Sequence, residues 1–95
     1  MSQPSDPRYC ASDRALLTEL GDGTGVLLDL DSNFYFSLNE TAIFVWKVLA
    51  ASEPVSRDQI AERLSRDFEV DVVQAGGDVD AVLDVLRRER LVTVR

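Results

Sequence analysis

The sequence predicts one small α+β domain in which short strands come before three helices. Its 95 residues are enough for a single domain. Before Asn39 the apolar residues form runs of strand length, and after it they recur at helical spacing. Turn-forming residues concentrate in the first part of the chain, at Gly21–Gly25 and Asp31–Asn33. Together these patterns place a sheet first and a helical layer after it.

The first half contains two strand-like runs joined by a short polar turn. Val26–Leu30 and Phe34–Leu38 are apolar or aromatic, and Asp31–Asn33 connects them, which predicts a β-hairpin. An earlier run, Ala15–Leu20, is too short for periodicity to distinguish a strand from a brief helix.

Two capped helices follow the hairpin. Asn39 is a good N-cap for a first helix that should end near Ala51, before Ser52-Glu53-Pro54. Ser56 and Gln59 have the spacing of a capping box and predict the start of a second helix. The apolar faces are Ala42, Ile43, Val45, Trp46 and Leu49 in the first helix, and Ile60, Ala61, Leu64 and Phe68 in the second.

A third helix begins after Asp71 and is followed by the short extended segment Leu91–Val94. Acidic residues precede arginines along it, which suits the helix dipole. Gly76-Gly77 weakens its first part, because each glycine costs about 1 kcal/mol relative to alanine, so we expect the first turn to be separate from the helix or frayed. The second and third helices form a helix-turn-helix pair, which with the strands predicts a winged-helix type of domain.

The composition restricts the function classes. The chain has 10 Lys plus Arg, 17 Asp plus Glu, a formal charge of −7, no histidine and one cysteine. Without histidine it has no Ser-His-Asp or Cys-His triad and no histidine-containing zinc site, so the prediction is a binding module that is not an enzyme and holds no cofactor or metal.

The N-terminal part predicts a flexible tail over residues 1–12, with the domain spanning residues 13–95. The tail contains Cys10, whose simplest interpretation is an incidental exposed thiol. It lacks the layout of a signal peptide, and no later run is long enough to span a membrane, so we expect a cytoplasmic protein.

Several ordered segments resemble the PqqD-like family. In that family they read approximately as an apolar strand, then Y-x-L-N-E-x-A, then I/V-W-x-x-L. The similarity extends over about residues 13–95. The segments that carry it are Gly25–Leu30, Phe34–Ala42, Val45–Leu49, Ile60–Leu64, Phe68–Asp71, Asp78–Leu83, Leu86 and Leu91–Val92.

The resemblance implies a peptide-recognition domain, a RiPP recognition element, with a three-stranded antiparallel sheet followed by three helices. The leader of a ribosomally made precursor peptide is then expected between the third strand and the third helix, where it adds an antiparallel strand to the sheet. The residues expected to bind it are Asn33, Phe34, Tyr35, Phe36 and Ser37 on the strand side, and Asp78, Ala81, Val82, Val85 and Glu89 on the helix side.

Four of these residues also have a purely structural interpretation. Strand alternation places Phe36 and Leu38 in the core and leaves Tyr35 more exposed. Val85 lies off the main apolar face of its helix, so it either contacts a partner or packs on a neighbouring helix. Asp78 either contacts a basic or polar group of the leader or simply stabilises the N-terminal half of the helix through its negative charge.

One departure from the family pattern bears on the pathway. The member that acts in pyrroloquinoline quinone biosynthesis typically has a Pro-Glu-Gly turn where this chain has Asp31-Ser32-Asn33. The short acidic form, with a tryptophan in the first helix, is more similar to leader-binding proteins of lasso-peptide clusters. Expected partners are the precursor peptide, a leader peptidase of the cysteine-protease type and an asparagine-synthetase-like cyclase. The alternative is a peptide chaperone for pyrroloquinoline quinone or another radical-enzyme pathway.

Two other classes compete with peptide binding. A winged-helix DNA-binding regulator would place its third helix in the major groove, but Asp78, Asp80 and Asp84 would then face phosphates, so we expect no nucleic-acid partner. A general protein-interaction or anti-repressor module would use the same groove for another peptide or protein.

Overall fold

A computed structural model describes residues 7–51 and 53–94 of the chain. Within those ranges it contains three helices, α1 (Glu40–Leu49), α2 (Arg57–Phe68) and α3 (Val72–Arg88). The strands there are β1 (Arg8–Ala11), β2 (Ala15–Glu19), β3 (Gly25–Asp29), β4 (Tyr35–Leu38), β5 (Val55–Ser56) and β6 (Val92–Val94). The α+β class is confirmed. Strands β1 to β4 come before the helices as predicted, but β5 lies between α1 and α2, and β6 follows α3.

The strands form two antiparallel three-stranded sheets, ordered β2-β3-β4 and β5-β1-β6. The first is the sheet that the sequence predicts. Its β3–β4 pairing, with Leu27 opposite Phe36, confirms the hairpin. The ambiguous run after Ala15 is strand β2, which pairs with β3 along its whole length.

The second sheet corrects the prediction of a flexible tail over residues 1–12. Arg8–Ala11 forms β1, which pairs with β5 on one side and β6 on the other, while residues 1–6 lie outside the described residues. Both partners of β1 come from distant parts of the chain, so local composition does not indicate the strand. Tyr9 is buried in the core, and Cys10 Sγ lies 3.2 Å from Thr93 Oγ1 on β6.

The helix starts are as predicted. Asn39 Oδ1 accepts a hydrogen bond from the Ala42 N–H at 2.9 Å, and Ser56 and Gln59 form a reciprocal capping box. Asp71 Oδ2 accepts from the Val73 N–H at 2.9 Å. These bonds satisfy N–H groups that have no partner within the first helical turn.

The two adjacent glycines do not interrupt α3, which is continuous from Val72 to Arg88. Gly76 is buried against the guanidinium of Arg57, and a Cβ at that position would lie 2.5 Å from Arg57 Nη2. Arg57 Nε and Nη2 donate to the two carboxylate oxygens of Asp80 at 2.8 and 2.9 Å. Gly76 therefore allows α2 and α3 to approach closely.

The core lies between the inner face of the first sheet, the three helices and the second sheet. Its fully buried side chains come from all of these layers: Leu27, Val45, Leu49, Ile60, Leu64, Val79 and Leu91. Because β4 precedes α1 directly, the end of this strand is held beside the start of α1, and α3 packs across the same region.

Candidate peptide-binding groove

Strand β4 is an edge of its sheet. It pairs with β3, and no other strand within the two described ranges pairs with it. The Asp29 N–H donates to the Phe34 carbonyl at 2.9 Å, which fixes the register. Phe36 and Leu38 therefore direct their backbone groups to β3, while Tyr35 and Ser37 direct their N–H and C=O groups outwards. This edge can accept another strand.

An apolar groove runs beside this edge. Its walls come from the end of β4, the start of α1 and one flank of α3, and its volume is about 220 Å³. No charged side chain is among its lining residues, which are Ser37, Leu38, Asn39, Ala42, Ala81, Val82, Val85 and Leu86. The site therefore combines unpaired main-chain groups with an uncharged surface for a side chain.

Helical spacing explains the apolar flank of α3. Val82 and Leu86 are one helical turn apart, as are Ala81 and Val85, so the four form two adjacent rows on one side of the helix. Leu86 is buried, whereas Val85 remains 44% exposed. An apolar side chain this exposed inside a groove is available to a ligand.

The turn before β4 is organised by Asp29, which is 7% exposed. Its Oδ1 accepts from the Asp31 N–H and its Oδ2 from the Ser32 hydroxyl, each at 3.0 Å. The Asp31 N–H lowers the pKa of Asp29 most, and the Ser32 hydroxyl and the charge of Arg14 lower it further against the opposing effect of burial. These bonds shape the turn that sets the start of β4.

The expected strand-side residues occupy different positions around the groove. Ser37 lines it, and Tyr35 contributes edge backbone while its side chain is 73% exposed. Phe36 is half-buried and packs against the core, as its structural interpretation anticipates. Asn33 has a φ of 64° in the turn, and Phe34 is 64% exposed at its end.

On the helix side, three of the residues predicted to bind the leader, Ala81, Val82 and Val85, line the groove. Asp78 and Glu89 are exposed and lie on α3 or at its end, outside the lining residues. The Glu89 N–H donates to the Val85 carbonyl at 3.0 Å, so this residue ends the helix.

Four lining residues were missing from the expected set: Leu38, Asn39, Ala42 and Leu86. The sequence pattern assigns Leu38 to the core and Ala42 to the apolar face of α1, and it predicts only a helix cap for Asn39. The spacing between Val82 and Leu86 could have identified Leu86, because a residue one helical turn from a groove residue lies on the same flank of the helix.

The part of the chain that the structure describes contains no metal-holding cluster and no membrane-spanning helix. Within residues 7–51 and 53–94 no cluster of Cys, Asp or Glu is arranged to hold a metal ion. Nor does any helix of those ranges have the length and apolar character needed to cross a membrane.

A known family model matches most of the chain. The family model for PqqD, described as coenzyme PQQ synthesis protein D, matches residues 24–92. No curated protein matches the sequence.

Three solved structures are similar in fold. "Lasso peptide synthetase B1 complexed with the leader peptide" is 25% identical, with a TM-score of 0.71 over 90% of this chain and 96% of that one. "TbiB1 in Complex with the TbiA(beta) Leader Peptide" is 23% identical, with a TM-score of 0.72 over 87% of this chain and 93% of the other. The PqqD truncation of Methylobacterium extorquens PqqCD, described as a stand-alone RiPP recognition element, is 22% identical, with a TM-score of 0.70 over 97% and 93%.

Proposed function

This chain belongs to the PqqD family, and we propose that it binds the leader segment of a ribosomally made precursor peptide and presents it to separate enzymes. The observation that carries the proposal is the free edge of β4 beside an uncharged groove on α3. Two proteins of similar fold are described in complex with leader peptides.

The register of β4 defines how the leader would bind. A strand added antiparallel to β4 exchanges main-chain hydrogen bonds with Tyr35 and Ser37, whose backbone groups point outwards. The peptide residue between those two pairs lies opposite Phe36 and shares its face of the sheet, the face that packs towards the core. That residue directs its side chain into the groove.

Selectivity comes from the groove, because main-chain bonds are available to any extended peptide. The groove takes an apolar leader side chain onto Val82, Val85 and Leu86. Asp78 and Glu89 lie beyond the lining at separate points along the helix. They favour a leader with Lys or Arg outside its apolar anchor, chiefly by increasing the association rate.

A lasso-peptide pathway is the setting that we favour. The turn Asp31-Ser32-Asn33 stands in place of the Pro-Glu-Gly turn of the quinone-pathway members, and a lasso peptide synthetase B1 is among the similar structures. In this setting the domain binds the precursor in the cytoplasm, a cysteine-protease-type peptidase removes the leader, and an asparagine-synthetase-like cyclase closes the ring. The domain itself does no chemistry.

Fluorescence polarisation tests the proposal. The probes are labelled synthetic peptides: the leader and the core of the precursor encoded beside this gene, and a pyrroloquinoline quinone precursor peptide. We expect the leader to bind with a Kd of about 1 μM or tighter and the core to bind at least about 100-fold more weakly.

Three results would contradict this assignment. Equal affinity for the leader and the core would show that the chain does not recognise the leader specifically. Tighter binding of the quinone precursor would favour the alternative pathway. Binding of a random DNA duplex at low salt, with none of the leader, would support the DNA-binding alternative.

A further inference from the structure

The backbone stays extended for one residue beyond the end of β4. Asn39 follows Leu38 with a φ of −86° and a ψ of −178°, although it is already the N-cap of α1. Leu38 pairs with Gly25 on β3, so alternation along the strand directs the Asn39 N–H outwards, as it does for Tyr35 and Ser37. The free edge therefore offers one more outward N–H past the last residue of β4.

The carbonyl of Asn39 does not extend the edge in the same way. It accepts a hydrogen bond from the Ile43 N–H at 2.9 Å, within the first turn of α1. A strand added to β4 meets a donor and a free acceptor at both Tyr35 and Ser37, but at Asn39 the backbone offers it the donor alone. Regular strand pairing ends at this residue, where the chain turns into the helix.

The side chain of Asn39 carries a second donor that the fold does not use. Its Oδ1 accepts from the Ala42 N–H at 2.9 Å, which fixes the orientation of the amide, because only the oxygen can accept. The Nδ2 group is therefore directed away from that N–H. No atom within residues 7–51 and 53–94 accepts a hydrogen bond from it, and the residue is exposed. Capping the helix requires only the oxygen, so the nitrogen is available to a ligand.

Asn39 also lies on the path of an added strand. It lines the apolar groove with Val82, and it lines two neighbouring depressions, one beside Val26 and one beside Glu40. A leader that runs antiparallel to β4 reaches Asn39 before it reaches Ser37. The leader residue opposite Asn39 therefore lies on the N-terminal side of the apolar anchor.

We propose that Asn39 recognises the leader as well as capping α1: its backbone N–H and its Nδ2 group donate to leader carbonyls on the N-terminal side of the anchor, while Oδ1 remains bonded to Ala42. This inference rests on the proposed function. It deepens that function by extending main-chain recognition past the end of β4, and it assigns this extension to one side chain.

The choice of capping residue separates the two roles of Asn39. Asn, Asp and Ser cap helices about equally well, because each offers a side-chain oxygen to the first turn. Of the three, only Asn also carries an NH₂ group that can donate two further hydrogen bonds. A Ser or Asp at this position therefore retains the cap and loses the proposed bond to the leader.

Fluorescence polarisation with the labelled leader tests the inference on Asn39→Ser and Asn39→Asp, and thermal unfolding checks the cap. Asn39→Ser adds no charge, and Asn39→Asp is nearly isosteric. The matched control is Asp71→Ser, which exchanges the N-cap of α3 in the same way. Asp71 lies more than two helical turns before Ala81, the first groove residue on that helix.

We expect Asn39→Ser to raise the Kd for the leader about threefold to tenfold, the usual effect of losing one hydrogen bond. Asn39→Asp should raise it at least as much, because a carboxylate oxygen would face leader carbonyls in place of a donor. The unfolding temperatures of both variants should stay close to that of the wild-type chain. Asp71→Ser should leave the Kd within about twofold of the wild-type value.

Nuclear magnetic resonance observes the proposed bond directly. In the isotope-labelled full-length chain, the side-chain NH₂ signal of Asn39 is assigned by its loss in Asn39→Ser. Addition of the leader should shift this signal and slow its exchange with water. The side-chain amide of Gln59, which belongs to the capping box of α2, should not respond.

The outcomes separate this inference from the proposed function. If the leader binds the wild-type chain but Asn39→Ser retains its affinity, or if the Asn39 side-chain signal does not respond, the inference is wrong and leader recognition stands. Weaker binding by Asn39→Ser together with a lowered unfolding temperature and an unresponsive signal would assign Asn39 to the cap alone, and would also overturn it. If the leader fails to bind the wild-type chain, the proposed function itself is wrong.

Discussion

Ser37 at the edge of the sheet and Val85 on the last helix lie on opposite walls of one groove. Ser37 presents backbone hydrogen-bonding groups to that edge, and Val85 presents an apolar side chain that is 44% exposed. A peptide in the groove would therefore meet main-chain partners on one side and an apolar surface on the other. The first two predictions test these walls separately.

Val85→Asp should remove leader binding and leave the fold intact. The new carboxylate would be desolvated against an apolar leader side chain, at a cost of about 2–3 kcal/mol, or roughly 100-fold in Kd. The free domain should tolerate it because Val85 is partly exposed. Polarisation measures the Kd, and thermal unfolding checks the fold. Val73→Asp introduces the same charge elsewhere on α3 and should bind the leader normally; an unchanged Kd for Val85→Asp would place the leader elsewhere.

Ser37→Pro should weaken leader binding by removing an N–H that points to the free edge. That N–H makes no ladder bond to β3, so the sheet can retain its pairing. One lost main-chain bond is worth about 0.5–1.5 kcal/mol, or about a threefold to tenfold rise in Kd. Ser37→Ala keeps the N–H and serves as the control. Phe36→Pro removes an N–H directed to β3 and should lower the unfolding temperature; equal stability of the two proline variants would contradict the register.

Asp29→Asn should make the protein less stable at neutral pH and less sensitive to acid. The pKa of Asp29 is lowered in the folded state from an ordinary value of 3.8, chiefly by the Asp31 N–H. The ionised carboxylate therefore stabilises the fold at neutral pH, and this stabilisation is lost as pH falls below about 3.8 through the lowered folded pKa.

Thermal unfolding of wild-type and Asp29→Asn proteins at pH 7 and near pH 3 measures this effect. The difference between the two proteins should be larger at pH 7. Ser32→Ala removes one of the two carboxylate hydrogen bonds and should shift stability in the same direction by less. A difference that is the same at both pH values would show that ionisation of Asp29 does not stabilise the turn.

Gly77→Ala should stabilise the protein, whereas Gly76→Ala should gain less. Alanine favours a helix over glycine by about 1 kcal/mol, and a Cβ at position 77 meets nothing within 4 Å. At position 76 it would lie 2.5 Å from Arg57 Nη2, so the guanidinium must move from Asp80. That exposed ion pair is worth about 0.2–1 kcal/mol, which offsets much of the gain.

A double-mutant cycle separates the two contributions. In an Arg57→Ala background, Gly76→Ala should recover the full gain of about 1 kcal/mol in the free energy of unfolding, measured by urea titration. If Gly76→Ala has the same effect with and without Arg57, the contact between Gly76 and Arg57 does not affect stability.

Local signals explain why so many elements were predictable. Asn39, Ser56 and Asp71 cap helices through bonds to residues two or three positions away, and such bonds are encoded by neighbouring residues. The hairpin around Asp31–Asn33 has the same property. The first strand, Arg8–Ala11, was missed because both its partners are remote in sequence.

The sequence by itself determined the β3–β4 hairpin, the three helices that follow it, the helix caps, and a family pattern that points to the β4 edge and α3. Only the tertiary structure decided that Leu38, Ala42 and Leu86 line the groove with Val85. The physical reason is that the spacing of apolar residues along a helix indicates only which of its faces is turned away from water. Whether a residue at its margin is covered by the core or left open to a ligand depends on how distant elements pack beside it.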